Sequence, residues 1–169
     1  MRRYSLRFLF ILFCTTLPIS FAFADEIGFN ADIAKATHVL KKGQWTKIGH
    51  WRTRGAGGLH NVDKAFNDST GEFTAPKDGV YHFTANIRID ALNTGYVLLF
   101  LSVDGSKDGN NSAYAVRGEN PKEAYFTLNL SNILSLKKGQ KVSLLIFSST
   151  DANYYVNVES GFSGMYLGQ

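Results

Sequence analysis

The sequence predicts an all-β protein built as a sandwich or barrel, and three observations carry that prediction. GVYHFTANIRID (79–90) alternates strictly, placing Tyr81, Phe83, Ala85, Ile87 and Ile89 on one face and Val80, His82, Thr84, Asn86 and Arg88 on the other. Alternation with period two belongs to a strand with one buried face. The same succession of apolar run and turn recurs at short intervals along the chain. No segment carries a helical period, and a composition with 13 Phe and 8 Tyr but only 3 Pro favours strands.

The first 24 residues are set aside before the elements are taken in order. MRRYSLR carries three arginines and no acid, FLFILFCTTLPISF is an apolar run broken at Pro18, and AFA precedes Asp25. A basic start, an apolar centre and a small-residue cleavage site predict a secretory signal peptide over residues 1–24. The alternative, a membrane anchor, needs roughly 20 uninterrupted apolar residues. Residues 25–169 are then expected to form one exported domain with no membrane span. Losing the leader leaves 15 basic against 14 acidic residues, a net +1, so the sequence pI of 9.2 belongs largely to the leader. No nucleic-acid partner is expected from such a balance. Cys14 also lies in the leader, so a domain without disulfides must rely on core size or on oligomerisation.

GEFTAPKDG (71–79) predicts a short strand around Phe73, stopped and turned by Pro76 and Gly79 ahead of the long alternating strand. YVLLFLSV (96–103) is apolar on both faces, as in a central strand, and Asp104-Gly105 is a hairpin signal. AYFTLNLSNILSL (124–136) alternates and then shifts phase near Asn132, which predicts a bend or a bulge. KKGQ (137–140) reads as a turn, KVSLLIFSS (141–149) as a strand, DAN (151–153) as a turn, and YYVNVESGFSGMYL (154–167) as a strand.

Together these segments resemble the globular head domain of complement component C1q, shared with the tumour-necrosis-factor-like superfamily. Asn61, Phe66, Phe73, Gly79, Tyr81 and Phe83 stand at the spacing of that family's Asn or Asp, aromatic, Phe and Gly-x-Tyr-x-Phe. GFNAD supplies Phe29 and Ala31 of a first strand, KKGQKVSLLIF matches a turn-glycine and strand, and SGFSGMYL matches a closing strand through Phe162, Ser163 and Gly164. Gly55 and Ala85 depart from the pattern, where the family has a Phe and an aromatic. The resemblance implies a ten-stranded jelly-roll sandwich that assembles as a compact homotrimer. Only residues 25–28 precede the first expected strand, so the resemblance is to a head-only member without a collagen stalk.

No catalytic motif stands out. SGFSGM ends in Met165 where a nucleophile elbow needs Gly, and H-E-x-x-H and phosphate-binding glycine loops are absent. His38, His50, His60 and His82 are scattered without carboxylates at ligand spacing. No enzyme activity and no cofactor are expected. DGSKDG (104–109) places Asp104, Ser106, Asp108 and Gly109 like the start of a calcium loop, but Ala115 stands where a bidentate Glu is needed. A polar hairpin loop is the favoured reading, with Asp104 and Asp108 kept as a calcium candidate.

KKGQWTKIGHWRTR (41–54) sets Lys41, Lys42, Lys47, Arg52 and Arg54 around Trp45 and Trp51, with no acid between Asp32 and Asp63. Ammonium and guanidinium groups take sulfate, phosphate or carboxylate, and indoles stack on sugars or pack into cores. The segment is thus either an anion- or glycan-binding loop or a solvated loop whose tryptophans cap the core. GAGGLH (55–60) behind it reads as a mobile connection. Asn67, Asn110 and Asn129 begin N-x-S/T sequons, the first two in turn-like sequence and the third within a strand. The family-level expectation is a secreted recognition protein for glycans or anionic surfaces, of the innate-immune type. Two alternatives are a hormone- or cytokine-like ligand for a cell-surface receptor and an extracellular matrix scaffold component.

Overall fold

The computed structural model describes residues 27–35, 40–53, 58, 60–90, 95–107, 125–149 and 156–169 in full, and 112–117 and 155 through their backbone. The strands follow in the order β1 (Gly28–Ile33), β2 (Trp45–Lys47), β3 (Trp51–Arg52), β4 (His60–Asn61), β5 (Phe66–Asn67), β6 (Glu72–Thr74) and β7 (Gly79–Asp90). They continue through β8 (Gly95–Val103), β9 (Ser112–Arg117), β10 (Tyr125–Leu136), β11 (Lys141–Ser148), β12 (Tyr155–Val156) and β13 (Gly161–Gly168). The first sheet runs β10-β7-β13-β1-β3, with β12 on β7 and β4 on β1; the second runs β5-β6-β11-β8-β9, with β2 on β11. Each main path holds five strands, which together are the ten of the expected jelly roll, and β2, β4 and β12 pair off them.

Alternation decides which side chains meet between the sheets. Tyr81, Phe83, Ala85, Ile87 and Ile89 of β7 are all buried, and from the second sheet Val97, Leu99, Leu101, Val142, Leu144 and Ile146 face them. Near one end the core is aromatic. Phe29 stacks on Phe66 at 4.2 Å and meets Phe162 edge-on at 4.9 Å, and Phe73 meets Phe83 edge-on at 5.3 Å. These are geometries in which ring pairs gain beyond area burial. Gly164 is fixed by this cluster, because a Cβ there would lie 2.7 Å from both Phe29 and Phe83. Asn61 earns its place differently: its carboxamide donates to the Phe66 carbonyl at 2.6 Å and accepts the Phe66 N–H at 3.0 Å, closing a loop the way a short strand pair would.

The turns around the second sheet are tight. Asp104 and Gly105 both adopt positive φ, 51° and 79°, the backbone a two-residue turn demands. The Asp104 carboxylate accepts the Lys141 N–H and the Gln140 amide, each at 2.8 Å. On the other side of the same 137–140 turn, Asp78 accepts the Lys138 N–H at 2.8 Å and the Lys137 ammonium at 3.0 Å.

Two expectations are corrected. β10 pairs with β7 without interruption from Tyr125↔Asp90 to Leu136↔Gly79, so no bulge forms at Asn132. Twelve residues of unbroken pairing hold the phase, and Ile133 points outward at 60 % exposure instead of slipping inward. The 154–167 strand is two strands. Tyr155 and Val156 pair with Asp90 and Ile89, whereas Gly161 pairs with Asn86, so the chain between them leaves the sheet as a turn. Asn157 holds that turn by donating to Asp90 at 2.6 Å, and the buried Ser160 hydroxyl accepts the Arg88 N–H at 3.0 Å.

Candidate functional site

The described part of the basic segment, 41–53, does not form one loop; it is shared between the sheets. β2 adds to β11 of the second sheet, with Trp45 opposite Phe147 and Lys47 opposite Leu145. The chain then dives, burying Ile48 completely, and emerges as β3 on the first sheet with Arg52 opposite Asp32 and Trp51 opposite Ile33. Trp51 is 4 % exposed and packs against Phe66 and Phe162. Its indole N–H donates to the Ile48 carbonyl at 2.9 Å, which satisfies the one polar atom it carries inside. Arg52 forks onto Asp32 at 3.0 and 2.6 Å. Lys41 and Lys42 are exposed beside the Lys42–Ser148 bridge, and Arg54 lies outside the described residues.

Trp45 has another environment. It stands on the outer face of the second sheet, with its ring edge-on to Phe100 at 5.9 Å and tilted against Phe147 at 5.3 Å. Phe147 in turn stacks on Tyr96 at 6.0 Å, and Tyr96 is 41 % exposed. β2, β11 and β8 thereby present a continuous aromatic row to the outside. Below it opens a cleft of about 570 Å³ lined by Trp45, Lys47, Glu72, Asp104, Lys107, Lys141 and neighbours from β11. The Lys107 ammonium sits over the Trp45 ring, 5.7 Å from its centre. Glu72 receives Lys47 at 3.0 Å and Lys141 at 3.9 Å. The hydrogen bond from Lys47 holds the Glu72 carboxyl below the usual range, against a partial desolvation that works the other way. The Asp104 carboxyl is likewise lowered, chiefly by the backbone N–H of Lys141 and then by Gln140.

Of the described residues singled out from the basic segment, only Trp45 and Lys47 line this cleft. Sequence reasoning missed Tyr96, Phe147, Glu72, Lys107 and Lys141. The signal for part of the set is alternation: Lys141, Leu145 and Phe147 share one face of KVSLLIFSS, as Tyr96 and Phe100 share one face of YVLLFLSV. What that pattern lacks is the pairing that brings the faces together.

For calcium, Asp104 already spends its two carboxylate oxygens on protein donors, and Asp108 lies outside the described residues. Among the described residues no cluster of three or more His, Cys, Asp or Glu could hold a metal ion. Asn67 is exposed, and its side-chain oxygen caps its own turn through Ser69 and Thr70. Asn110 lies outside the described residues. Asn129 is exposed on the outer face of the first sheet, opposite Asn86.

That second outer face differs in kind. Small polar groups bond across it, Thr84 to Ser163 at 2.7 Å and His82 to Ser131 at 2.9 Å. Ile133 and Met165 flank His82 in register on the two neighbouring strands and are 60 % and 52 % exposed. A smaller cleft of about 400 Å³ lies there between Asn30, His60, His82 and Met165.

The C1q domain family model matches residues 57–167. Adipolin of Mus musculus is 30 % identical over 109 residues, covering 59 % of this chain and 35 % of that protein. Adipolin of Xenopus tropicalis is 24 % identical over 153 residues, covering 85 % and 47 %. The chain therefore spans less than half the length of these curated relatives. Among solved structures, the globular domain of zebrafish complement 1qA aligns with a TM-score of 0.61 at 18 % identity, covering 85 % of this chain and 98 % of that one. Murine APRIL aligns with a TM-score of 0.60 at 11 % identity, covering 84 % and 99 %. At these identities the structural matches speak for the fold.

Proposed function

From the premise that this chain belongs to the C1q domain family, we propose that it is a secreted, non-enzymatic recognition protein. It assembles as a homotrimer and binds glycans or anionic surfaces through the outer face of its second sheet. One observation carries the reading: the aromatic row of Tyr96, Phe147 and Trp45 ends in a cleft edged by Lys47, Lys107 and Lys141. Aromatic faces and cations on one exposed surface suit a ligand that is both ring-bearing and anionic.

Self-assembly is assigned to the opposite face. Ile133 and Met165 are large apolar side chains left in water, and burying them against further copies adds directly to folding stability. With three copies, weak contacts at each ligand site add up through avidity. The test is light scattering of the exported protein, followed by its binding to neutral and anionic glycans at low and at high salt. A trimer whose glycan binding weakens with salt is the expected result. Binding to a single saturable protein receptor, with none to glycans, favours a hormone- or cytokine-like ligand instead.

A further inference from the structure

We propose that the cleft beside Trp45 is a subsite for an acidic sugar residue of a polysaccharide, with the indole as its stacking platform and Lys107 and Lys141 taking its anionic group. The proposal rests on the recognition reading above and gives it a site and a ligand chemistry.

The platform is built in advance. Phe100 meets the indole edge-on and Phe147 braces it at 45°, so the ring plane is set by packing before any ligand arrives. A ring held this way loses little freedom on binding. Lys107 lying over the ring shows which way its face points: toward the cleft, not toward the core. The Lys107 ammonium already lies over that face, so a sugar ring laid there moves it aside and exchanges its contact with the indole for an ion pair with the sugar's acid group.

Charge then selects the sugar. Lys47 and Lys141 converge on the single carboxylate of Glu72, and Lys107 has no carboxylate partner among the described residues. Asp104 points its oxygens at the Lys141 N–H and Gln140, so its charge is engaged by the turn. Among the described residues three ammonium groups stand against two carboxylates at the cleft, a balance that favours an anion over a cation. An apolar partner would strip water from Lys47, Lys141 and Glu72 without replacing their hydrogen bonds. A small inorganic anion would leave the indole unused. A pyranose with a carboxylate or sulfate uses both, and its hydroxyls find Glu72 and the lysines as partners. At about 570 Å³ the cleft has the size of an ordinary small-ligand pocket, enough for a disaccharide-sized unit.

The experiment titrates the full exported protein with oligogalacturonate, dextran sulfate and neutral dextran, by calorimetry and by acrylamide quenching of tryptophan. Trp51 is buried, so a change in quenching reads Trp45 without any substitution. An acidic saccharide is expected to protect Trp45, and neutral dextran is not. The carboxylate and sulfate arms then tell which acid group is preferred. The double variant Lys107→Gln/Lys141→Gln is expected to bind about tenfold more weakly, a loss of about 1.4 kcal/mol. Trp45→Phe, which keeps the packing against Phe100 and Phe147, weakens binding of both acidic probes. Acidic-glycan binding that leaves Trp45 quenched as before and survives the double variant overturns the subsite while the recognition reading stands. No binding to any of these glycans or to a wider panel overturns both.

Discussion

Trp45 and Trp51 are six residues apart in one basic stretch, and they end in opposite places. Trp51 closes the core of the first sheet, its N–H spent on the Ile48 carbonyl. Trp45 lies on the outside of the second sheet, between Phe100 and Phe147, with a lysine over its face. What separates them is the dive at Ile48, which carries the chain from one sheet to the other. A sequence window rich in tryptophan and arginine is thus two half-sites, one structural and one facing solvent. The sign of its charge says little about either.

The comparison breaks most visibly in stability. Trp51→Ala removes a fully packed ring from the aromatic core and orphans the Ile48 carbonyl, and is expected to cost about 3–5 kcal/mol. Trp45→Ala removes a ring that already meets water on one side, and is expected to cost about 1–2 kcal/mol. Urea unfolding of the two variants beside the parent protein measures both. Equal losses would mean that Trp45 is as much a core residue as Trp51, and the outer face would lose its claim as a platform.

Much of the fold was legible because its cues are local. The alternation of 79–90, the Asp104-Gly105 turn and the glycine and aromatic spacing each report a neighbourhood of a few residues. The errors have the opposite character. The shift of phase near Asn132 looked like a bend or bulge because Ile133 is apolar, but the register there is fixed by β7, where Asn132 pairs with the distant Phe83. The break at 157–160 depends on where Tyr155 and Gly161 land along β7. The candidate cleft was legible only in part for the same reason. Lys47, Glu72, Lys107 and Lys141 meet only because β2, β6 and β11 are neighbours and the 104–107 turn folds against them, and nothing in their individual spacings encodes that order.

Acid sharpens the contrast between the two regions. Asp78 and Asp104 clamp the 137–140 turn from two sides, and both carboxyls are held below the usual range, chiefly by backbone N–H donors from Lys138 and Lys141. Glu72 is lowered as well, by Lys47. A depressed folded pKa contributes stability that is fully present above the unfolded value, about 4, and is lost as pH falls through the folded one. The melting temperature is therefore expected to stay level from pH 7 to about pH 5 and to fall below about pH 4. In Asp104→Asn that fall is expected to be shallower, since one of the three groups no longer titrates. Hydrogen exchange in the acid range should rise first at Lys138 and Lys141, on the two sides of the turn, while the Trp51 indole stays protected. Simultaneous loss at both would show that the turn clamps and the core open as one unit.

The smallest expected effect lies at Arg52, and it discriminates best between charge and position. Arg52 was grouped with Lys47 on sequence, yet its guanidinium is engaged by Asp32 on the far sheet, at the exposed edge where β3 meets β1. Exposed ion pairs are weakened by solvent and salt and lose side-chain entropy in forming. Arg52→Gln is therefore expected to leave unfolding unchanged within error and to leave acidic-glycan binding at the parent value, although it removes a full positive charge. Lys107→Gln/Lys141→Gln, removing charges beside Trp45, is expected to weaken that binding. If Arg52→Gln weakens binding as much as a lysine variant does, attraction to the whole basic surface is the cause, screened over ~8 Å at physiological salt, and geometry at Trp45 is not. If it does not, the ligand is reading the particular lysines that the second sheet gathers around one indole.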